Sequence, residues 1–338
     1  MLHCPSLPIS PDEPWLAPLA GFSDLPFRLL CRELGARVAC TEMISAKGVL
    51  YNSPSTERLL ASCPGDVPLV VQLFGAEPKS LGRAVQELLR RGFSWFDLNA
   101  GCPVKKVVRT GAGAALLKAP LRLEEAVRRM LEAAGPARVG VKIRSGWEEG
   151  QEVYLHVAEQ LSDVELGWMT LHPRSAKQGF RGNAAWNHLG RLRRSVPFPI
   201  VGSGDLLTAA DGWSCLQKTG IDAVMFARGA LQDPFVFSRF RQQASEQPGT
   251  TQSPDLPKAY CRERHLQDGY RGRLALARRH IDLSRCCRPE RDAFVRMRPM
   301  VARHLRSFPR ARQLRQEVMR CRDWEGLLEL LDRLEGMV

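Results

Sequence analysis

Cys102 is the residue whose surroundings first suggest chemistry. It stands in the turn Gly101-Cys102-Pro103, directly after an apolar segment, and the pair Lys105-Lys106 follows it. A thiol on such a turn can act as a nucleophile or as a general acid. A single cysteine is more often an inert buried residue, so its role must be judged from the residues that accompany it.

Two glycine-bearing turns further along the chain indicate a phosphate site. Gly202-Ser203-Gly204 and Arg228-Gly229 each follow a short apolar segment. In barrels of parallel strands, backbone amides and a helix N-terminus at such turns bind phosphate. The turns alone would suit many phosphorylated metabolites.

Lys142 and His172 lie near the ends of two other apolar segments. A cation beside the phosphate site can stabilise the negative charge that develops near N1 and O2 of a reduced flavin, and Gln72 could hydrogen-bond the ring edge. An alternative interpretation is that Lys142 forms a buried pair with Glu42 or Asp97. The two interpretations are compatible.

The elements that must position these residues alternate regularly between residue 15 and about residue 240. Short apolar runs alternate with amphipathic segments, which predicts repeated βα units and a parallel sheet. The predicted strands are nearly continuous apolar runs: Trp15–Pro18, Val38–Glu42, Leu69–Phe74, Trp95–Ala100, Val139–Ile143, Trp168–His172, Ile200–Ser203 and Ala223–Ala227. Four intervening segments have helical periodicity: Pro78–Arg91, Arg122–Ala134, Gln151–Leu161 and Thr208–Lys218. Eight such units predict an α/β fold, the (β/α)8 TIM barrel, with functional residues at the carboxyl ends of the strands.

The alternative fold is an open, doubly wound sheet. That fold carries a glycine-rich fingerprint after its first strand, whereas Pro18-Leu19-Ala20-Gly21 follows the first strand here. Gly111-Ala112-Gly113 resembles a fragment of the fingerprint but lacks the third glycine and follows the Cys102 turn. The barrel is therefore favoured.

Beyond the barrel, we predict a linker and a second domain. Residues 1–240 form the predicted barrel domain, and residues 241–256, which are polar with two prolines, form the predicted linker. Residues 257–338 then carry apolar residues at helical spacing, as in Met297, Met300, Val301 and Leu305. This part is predicted to be a smaller C-terminal helical bundle.

Positive charge is concentrated in that second domain. The chain has a net charge of +13, and residues 261–320 contain 17 Arg, no Lys and 6 acidic residues, a net charge of +11. Guanidinium groups match phosphate oxygens, and binding releases counterions from a polyanion. The block favours a nucleic-acid partner, although a basic face can also serve solubility alone.

The remaining composition excludes several classes of protein. With 44% hydrophobic and 25% charged residues, the chain has no run of about 18 apolar residues that could span a bilayer, so no membrane association is predicted. Its N-terminus lacks a secretory signal pattern, which predicts a cytoplasmic protein. Ten cysteines include no C-x-x-C pair. A zinc site from Cys261, His265, Cys286 and Cys287 matches no familiar spacing, and no metal is predicted.

Together, these motifs resemble the tRNA-dihydrouridine synthase family, most closely its bacterial B-type branch. The resemblance covers essentially the whole chain. The motifs that carry it are Ala17-Pro18-Leu19-Ala20-Gly21-Phe22-Ser23-Asp24-Leu25-Pro26-Phe27-Arg28, Glu42-Met43, Gln72-Leu73-Phe74-Gly75, Asn99-Ala100-Gly101-Cys102-Pro103-Val104-Lys105-Lys106-Val107, Lys142-Ile143-Arg144-Ser145-Gly146-Trp147, Leu171-His172-Pro173-Arg174, Gly202-Ser203-Gly204-Asp205 and Ala227-Arg228-Gly229-Ala230.

The resemblance implies an FMN-containing barrel with a C-terminal tRNA-binding domain, an enzyme that is reduced by NADPH or NADH and acts on D-loop uridine of tRNA. Hydride from flavin N5 would add to C6 of the uracil, and Cys102 would protonate C5. We also expect a monomer. The implied flavin contacts are Pro18, Leu19, Ala20, Gln72, Lys142, His172, Ser203, Gly204, Asp205, Ala227 and Arg228.

The resemblance also assigns four residues to the substrate. Asn99 and Arg144 would read the uracil edge, while Lys105 and Arg174 would hold neighbouring phosphates. The target base must leave its stack to react, at a cost of about a few kcal/mol that phosphate contacts would offset.

Three residues depart from the family pattern. Ser203 stands where asparagine is expected, and Ala227 and Pro173 stand where glycine is expected. A serine hydroxyl can still bond a phosphate or ribityl oxygen, and an alanine amide remains a donor. The proline removes a backbone N–H and stiffens the loop before Arg174, which puts the inherited role of that loop in question.

Two other functions are weighed against this one. Another FMN barrel, such as a dihydroorotate dehydrogenase or an ene-reductase, would act on a free metabolite and would need no arginine-rich block. A non-catalytic RNA-binding protein is supported only by the changes at Ser203 and Ala227.

Overall fold

The computed structural model describes residues 7–245 and 269–337. Its first part is a closed barrel of eight parallel strands, joined in the order β1-β2-β4-β5-β6-β7-β8-β9 and closed by the pairing of β9 with β1. A short strand, β3, continues alongside the end of β4. The strands are β1 Trp15–Leu16, β2 Val38–Cys40, β3 Ile44–Ser45, β4 Leu69–Phe74, β5 Trp95–Ala100, β6 Val139–Arg144, β7 Trp168–His172, β8 Ile200–Gly202 and β9 Ala223–Phe226. The predicted (β/α)8 barrel is confirmed.

The strand period of two residues decides which side chains enter the barrel. In β5, Phe96 and Leu98 pack outward against the helices, so Asp97 and Asn99 face inward. The register pairs Gln72 of β4 with Asp97 and pairs Asn99 with Lys142 of β6. Polar residues of neighbouring strands therefore lie side by side inside the barrel.

The opposite end of the barrel interior is apolar. Trp15 and Trp168 pack edge to face there, with ring centroids 5.5 Å apart, and Val70, Val201 and Met225 surround them. This cluster fills the lower interior and leaves the upper end, where the strands terminate, for polar side chains.

Eleven α-helices and one 3-10 helix, Gly113–Lys118, accompany the barrel in the described part of the chain. The α-helices are α1 Leu25–Glu33, α2 Ala46–Leu50, α3 Pro54–Leu59, α4 Pro78–Arg90, α5 Lys105–Val108, α6 Pro120–Ala134, α7 Val153–Gln160, α8 Asn187–Ser195, α9 Ala209–Thr219, α10 Arg228–Gln232 and α11 Val236–Ser245. The boundaries have local causes. Helix α4 begins on Pro78, which suits the first helical turn. Helix α9 begins with a capping box between Thr208 and Asp211 and ends at the left-handed Gly220.

Several predicted bounds differ from the structure. Strands β1, β2, β8 and β9 end one or two residues early, because Pro18, Glu42, Ser203 and Ala227 already belong to the loops above the barrel. Strand β6 runs one residue further, to Arg144. Helix α6 starts at Pro120 rather than at residue 122 because the proline occupies its first turn, and α7 is shorter than predicted.

The second part is helical, as predicted. Its helices are α12 Gly269–Cys287, α13 Glu290–His304, α14 Ala311–Arg320 and α15 Trp324–Glu335. Within residues 241–256, the predicted linker is wrong for residues 241–245, which complete α11. The helix continues there because Arg241 and Ala244, which lie in this extension, are buried. The rest of the predicted linker lies outside the described residues, and the domain boundaries remain a prediction.

The helical part packs directly on helix α1 of the barrel. Phe27 contacts His280 with ring centroids 5.7 Å apart, and Asp24 forms an ion pair with Arg288 at 2.7 Å. One apolar core continues from the barrel helices into the helical part. Among the described helices, none is long and apolar enough to cross a membrane.

Candidate active site

A cavity of about 290 Å³ opens at the carboxyl ends of the strands. It is lined by every predicted site residue except Lys105 and Arg174. Other residues that line it were not predicted to be site residues, among them Phe180 and Met43, which the sequence analysis named only as part of a motif. The strand ends therefore bring together residues that are more than 200 positions apart in the chain, as a barrel requires.

A chain of hydrogen bonds runs from the barrel interior to the Cys102 turn. Gln72 Nε2 donates to Asp97 Oδ2 at 2.7 Å, and Asn99 Nδ2 donates to Gln72 Oε1 at 2.8 Å. Asn99 Oδ1 then accepts from the amides of Gly101 at 3.2 Å and Cys102 at 3.0 Å. Every link has the same direction, so the buried carboxylate of Asp97 determines how both amide groups are turned.

The Cys102 turn is also stabilised by contacts with Gly113 and Ala114. Ala114 N donates to Cys102 O at 2.9 Å, and Gly113 packs so closely that an added Cβ would lie 2.7 Å from that carbonyl oxygen. Gly113 has a φ of +61°, a conformation that favours glycine. The Gly111-Ala112-Gly113 segment thus packs against the Cys102 turn and stabilises it. Cys102 itself is a partly exposed free thiol that lines the cavity.

Lys142 lies near Asp97 but does not form a direct ion pair with it. In the described part of the chain no carboxylate lies within 4.0 Å of its Nζ, and Glu42 instead accepts a hydrogen bond from the Gly21 amide. Neither direct pair weighed from the sequence forms. Burial, together with the charge of Arg144, lowers the pKa of Lys142 to about 8, while Asp97 opposes that shift.

Asp97 responds in the opposite direction to the same environment. Burial raises its pKa to about 7, against the hydrogen bond from Gln72 and the charge of Lys142. Because its own pKa is about 8, Lys142 stays largely cationic near neutral pH and presents its charge to the cavity.

The structure gives Arg174 a different place from the one predicted. Only 2% of this residue is exposed, and its Nη2 donates to Asp205 Oδ2 and to Gly182 O, each at 2.6 Å. Its Nη1 contacts His172 Nε2 at 3.2 Å. The loop after Pro173 folds back over the guanidinium, so Arg174 lies beneath the cavity wall rather than on an exposed surface with Lys105.

One of the predicted phosphate turns has backbone amides that are available to bind a ligand. The amides of Gly204 and Asp205 have no hydrogen-bond partner in the described part of the chain, and helix α10 begins at Arg228 beside them. Gly204 has a φ of +108°, and a Cβ there would lie 2.8 Å from Cδ2 of His172. Glycine at this position thus allows the turn to approach the histidine.

The three departures from the expected residues are accommodated locally. Ser203 is buried, and its hydroxyl donates to Met225 O at 3.2 Å. Ala227 lines the cavity where β9 gives way to α10. Pro173 needs no amide, and its carbonyl accepts from Ala185 N at 3.0 Å.

Arg144 ties the Cys102 turn to the loop after β7. Its Nε donates to Gly101 O at 2.9 Å, and its Nη1 donates to Ser175 O and Gly179 O. Burial and the charge of Arg174 lower its pKa to about 10, so it remains cationic. Its Nη2 has no protein partner among the residues described here, which leaves that nitrogen for a ligand.

Phe180 is the residue that the sequence analysis missed. It is 61% exposed at the mouth of the cavity, and the guanidinium of Arg228 lies 4.9 Å from its ring centroid. The signal available in the sequence was an aromatic residue inside a polar, glycine-flanked segment, Gly179-Phe180-Arg181-Gly182. An exposed aromatic ring at a cavity mouth can stack against a flat ligand.

Basic residues surround the cavity and cover the helical part. Lys105 is exposed at the start of α5, outside the cavity. In the helical part, several arginines are exposed and pair with no carboxylate of the described chain: Arg271, Arg291, Arg306, Arg310, Arg312, Arg315 and Arg320.

Half of the zinc site considered from the sequence lies outside the described residues. Cys261 and His265 lie outside the described residues, while Cys286 is exposed and Cys287 is partly buried at the end of α12. Within residues 7–245 and 269–337, no group of three or more histidine, cysteine or acidic residues could hold a metal ion.

Comparison with solved structures agrees with the fold. An old yellow enzyme homologue from Zymomonas mobilis matches with a TM-score of 0.52 and 16% identity, over 71% of this chain and 93% of that one. Morphinone reductase matches with a TM-score of 0.51 and 14% identity, over 68% of this chain and 86% of that one. At such identities the likeness concerns the barrel fold alone.

Comparison with protein families and curated sequences is more specific. Residues 15–336 match the family model described as dihydrouridine synthase. A probable tRNA-dihydrouridine synthase of Treponema pallidum is 36% identical over 241 residues, covering 69% of this chain and 71% of that protein. Another, from Aquifex aeolicus, is 30% identical over 325 residues, covering 95% and 94%. A tRNA-dihydrouridine synthase B of Xanthomonas axonopodis is 33% identical over 225 residues, covering 66% and 67%. The chain therefore belongs to the dihydrouridine synthase family.

Proposed function

We propose that this chain reduces the C5=C6 bond of a D-loop uridine in tRNA, with FMN as its cofactor and NADPH or NADH as reductant. The observation that carries the proposal is the position of Cys102, whose thiol lines the same cavity as the cationic Lys142 and the unpaired amides of Gly204 and Asp205. Membership of the family agrees with this activity.

The residues present fit a flavin mononucleotide. The amides of Gly204 and Asp205, the start of α10 and the half-exposed Arg228 supply donors for a phosphate group. The Pro18–Ala20 loop and Gln72 line the wall of the cavity, and Lys142 offers a cation for a ring that gains negative charge. A flavin bound there supplies the hydride that C6 of the uracil receives.

Cys102 then has a defined task. Addition of hydride to C6 moves the electron pair of the C5=C6 bond onto C5 and the C4 carbonyl, which gives an enolate of the base. The Cys102 thiol transfers its proton to C5 and becomes a thiolate, and the proton is later restored from solvent. The hydrogen bonds to the Gly101 and Cys102 amides keep the thiol in place for this transfer.

The uracil is held by two side chains of the cavity. Arg144 retains Nη2, and Asn99 Nδ2, besides its bond to Gln72, donates only to Met43 Sδ at 3.8 Å, a weak acceptor that a carbonyl oxygen of the base can replace. Both can donate to a carbonyl oxygen of the base, and Arg144 carries a charge that stabilises an enolate oxygen. The exposed Phe180 provides a surface on which a base leaving its stack can rest.

The exposed arginines of the helical part and Lys105 suit the phosphate backbone of tRNA. A free metabolite would need none of these charges. We propose no phosphate role for Arg174, because its guanidinium is buried and each of its three nitrogens already has a hydrogen-bond partner in the protein.

The test measures flavin and tRNA together. The purified chain should contain FMN, and uridine-containing tRNA should reoxidise the reduced flavin. Cys102→Ala should keep FMN and its reduction by NADPH but slow reoxidation by tRNA about 10²- to 10⁴-fold, the usual contribution of a general acid. Cys286→Ser, at an exposed cysteine of the helical part, is the matched control and should behave like the unmodified protein.

Other outcomes would favour the alternatives. Full turnover by Cys102→Ala would contradict the acid role. Reoxidation by a free conjugated carbonyl compound but not by tRNA would favour a small-molecule reductase. A colourless protein that binds tRNA tightly and in a salt-sensitive manner would favour a non-catalytic RNA-binding protein.

A further inference from the structure

The contact between Arg174 and His172 limits the form of the histidine. Arg174 Nη1 lies 3.2 Å from His172 Nε2. A guanidinium group remains protonated and can only donate hydrogen bonds. Nε2 must therefore be the acceptor, and in a neutral ring the proton must lie on Nδ1.

We propose that Arg174 is a positioning residue that holds His172 as the neutral Nδ1–H tautomer, so that the histidine offers the cavity a hydrogen-bond donor. Nδ1 has no protein partner in the described part of the chain and is not fully enclosed. His172 lines the cavity. A ligand that carries a hydrogen-bond acceptor would fit this donor. The inference rests on the proposed function only where it identifies that ligand as FMN.

Arg174 is fixed on every side. Its Nε donates to Arg181 O at 3.2 Å, and its Nη2 donates to Gly182 O and Asp205 Oδ2. Asp205 is itself held by Ala184 N at 2.7 Å and by Arg228 at 2.8 Å. The guanidinium therefore has one orientation, and that orientation keeps Nη1 on the histidine.

The histidine is confined in the same way. The ring edge formed by Cδ2 and Nε2 packs against Gly204, which prevents the ring from swinging away from Arg174. Asp205 has a φ of +56°, a left-handed conformation that is uncommon outside glycine. Its three side-chain hydrogen bonds, from Arg174, Ala184 and Arg228, hold it there. The turn at Gly204 and Asp205 thereby keeps the arginine and the ring together.

The charged groups around the ring keep it neutral. Burial lowers the pKa of His172 well below its ordinary value, and the charges of Lys142, Arg144, Arg174 and Arg228 lower it further. An imidazolium, which would carry protons on both nitrogens, would also place a donor against the donor of Arg174. The neutral donor form therefore persists through the physiological pH range.

Nitrogen NMR tests this directly on the full-length chain. The seven histidines are labelled with ¹⁵N in the ring, and His172→Gln identifies the resonances of His172 by their loss. We expect a bonded proton on Nδ1 and none on Nε2, in protein stripped of flavin and after addition of FMN. A proton on Nε2, or on both nitrogens near neutral pH, would overturn the proposal. This measurement needs no variant of Arg174.

Arg174→Met tests the cause. Without the guanidinium donor, His172 in the flavin-free protein should shift toward the Nε2–H tautomer that a free imidazole side chain favours. FMN should bind about 2- to 12-fold more weakly, the effect of one misdirected neutral hydrogen bond. Arg181→Met is the matched control, because Arg181 is exposed in the same loop, and it should leave the tautomer unchanged. An unchanged tautomer in Arg174→Met would show that another group determines it.

Failure of this proposal is separable from failure of the proposed function. If the protein acts on tRNA but His172 carries its proton on Nε2, only the role of Arg174 is wrong. If the Nδ1–H pattern is found but neither FMN nor tRNA is used, the proposed function is wrong while the tautomer assignment stands.

Discussion

Replacing Asp97 with asparagine tests the chain of hydrogen bonds beneath Cys102. The substitution keeps the size of the side chain but can place an amide NH₂ group where the native carboxyl oxygen accepts a hydrogen bond from Gln72. In the native protein, Asp97 makes Gln72 donate, Gln72 makes Asn99 donate, and Asn99 Oδ1 is left to accept from the amides of Gly101 and Cys102.

With Asp97→Asn, the residue at position 97 no longer determines which group donates in each of these hydrogen bonds. The new side chain can present its NH₂ group to Gln72, because its other orientation would put this donor at the position of Oδ1, which is buried and has no hydrogen-bond partner among the described residues. Gln72 and then Asn99 would reverse in turn. Asn99 would present its NH₂ group to two backbone amides, and both bonds to the Cys102 turn would be lost.

The magnitude follows from those two bonds. Each neutral hydrogen bond contributes about 0.5–1.5 kcal/mol, so the ordered Cys102 turn loses about 1–3 kcal/mol of stabilisation. Since a factor of ten corresponds to about 1.4 kcal/mol, reoxidation of the flavin by tRNA should slow by up to about 5- to 150-fold. Reduction by NADPH does not use the Cys102 proton and should change much less.

Stopped-flow measurement of the two half-reactions separates these effects. Thr170→Val is the matched control, because the Thr170 hydroxyl is buried in the same barrel and has no hydrogen-bond partner in the structure. Removing it should leave both half-reactions near the native rates. Native reoxidation by tRNA in Asp97→Asn would refute the directional chain, and an equal loss in both half-reactions would point to general disruption of the site.

Three further predictions concern stability and tRNA binding. His280 and His304 contact each other at 3.1 Å, and burial lowers the pKa of both below the ordinary 6.5, that of His280 to about 4. The unfolded chain therefore binds protons more readily. The free energy of unfolding, measured with urea, should therefore be constant above about pH 6.5 and decrease as the pH falls toward 4. Protonation of His280 alone should lower it by about 2 kcal/mol at pH 5. An unchanged free energy of unfolding between pH 7 and pH 5 would contradict this prediction. Arg288→Met removes the ion pair with Asp24 that joins the two parts and should lower the free energy of unfolding by about 1.5–3 kcal/mol, whereas a loss below about 0.5 kcal/mol would mean that the pair contributes little. Phe180→Ala should weaken productive tRNA binding by about 1–3 kcal/mol if a base stacks there; Phe180→Tyr should restore it, and equal single-turnover KM values for all three proteins would exclude stacking.

Most of the barrel could be predicted from the sequence because its signals are local. Apolar runs of strand length, separated by helical periodicity, are short-range patterns, and strands β4, β5 and β7 have the predicted bounds. The period of two residues also places Gln72, Asn99 and Lys142 on one face before any tertiary contact is known. Because parallel strands end at one edge of a barrel, the cavity and most of its lining follow from the same pattern.

The helical part was predictable in kind but not in its attachment. Its apolar spacing predicts helices, yet the contact of Phe27 with His280 and the pairing of Asp24 with Arg288 join residues more than 250 positions apart. In the extension of α11 to Ser245, Arg241 is likewise buried, and its side chain lies against Gly35, more than 200 positions away. Periodicity along the chain contains no information about such partners.

The sequence by itself determined which residues could reach the carboxyl end of the barrel. Only the tertiary structure decided what each of them does there. Arg174 reads as a surface phosphate ligand in the sequence, but Asp205, 31 positions away, draws it beneath the cavity wall. Phe180 reads as a loop residue, but folding of that loop places its ring at the cavity mouth. The physical reason is that a strand fixes the direction of its side chains by local geometry, whereas the partners of a charged or loop residue are fixed by long-range packing.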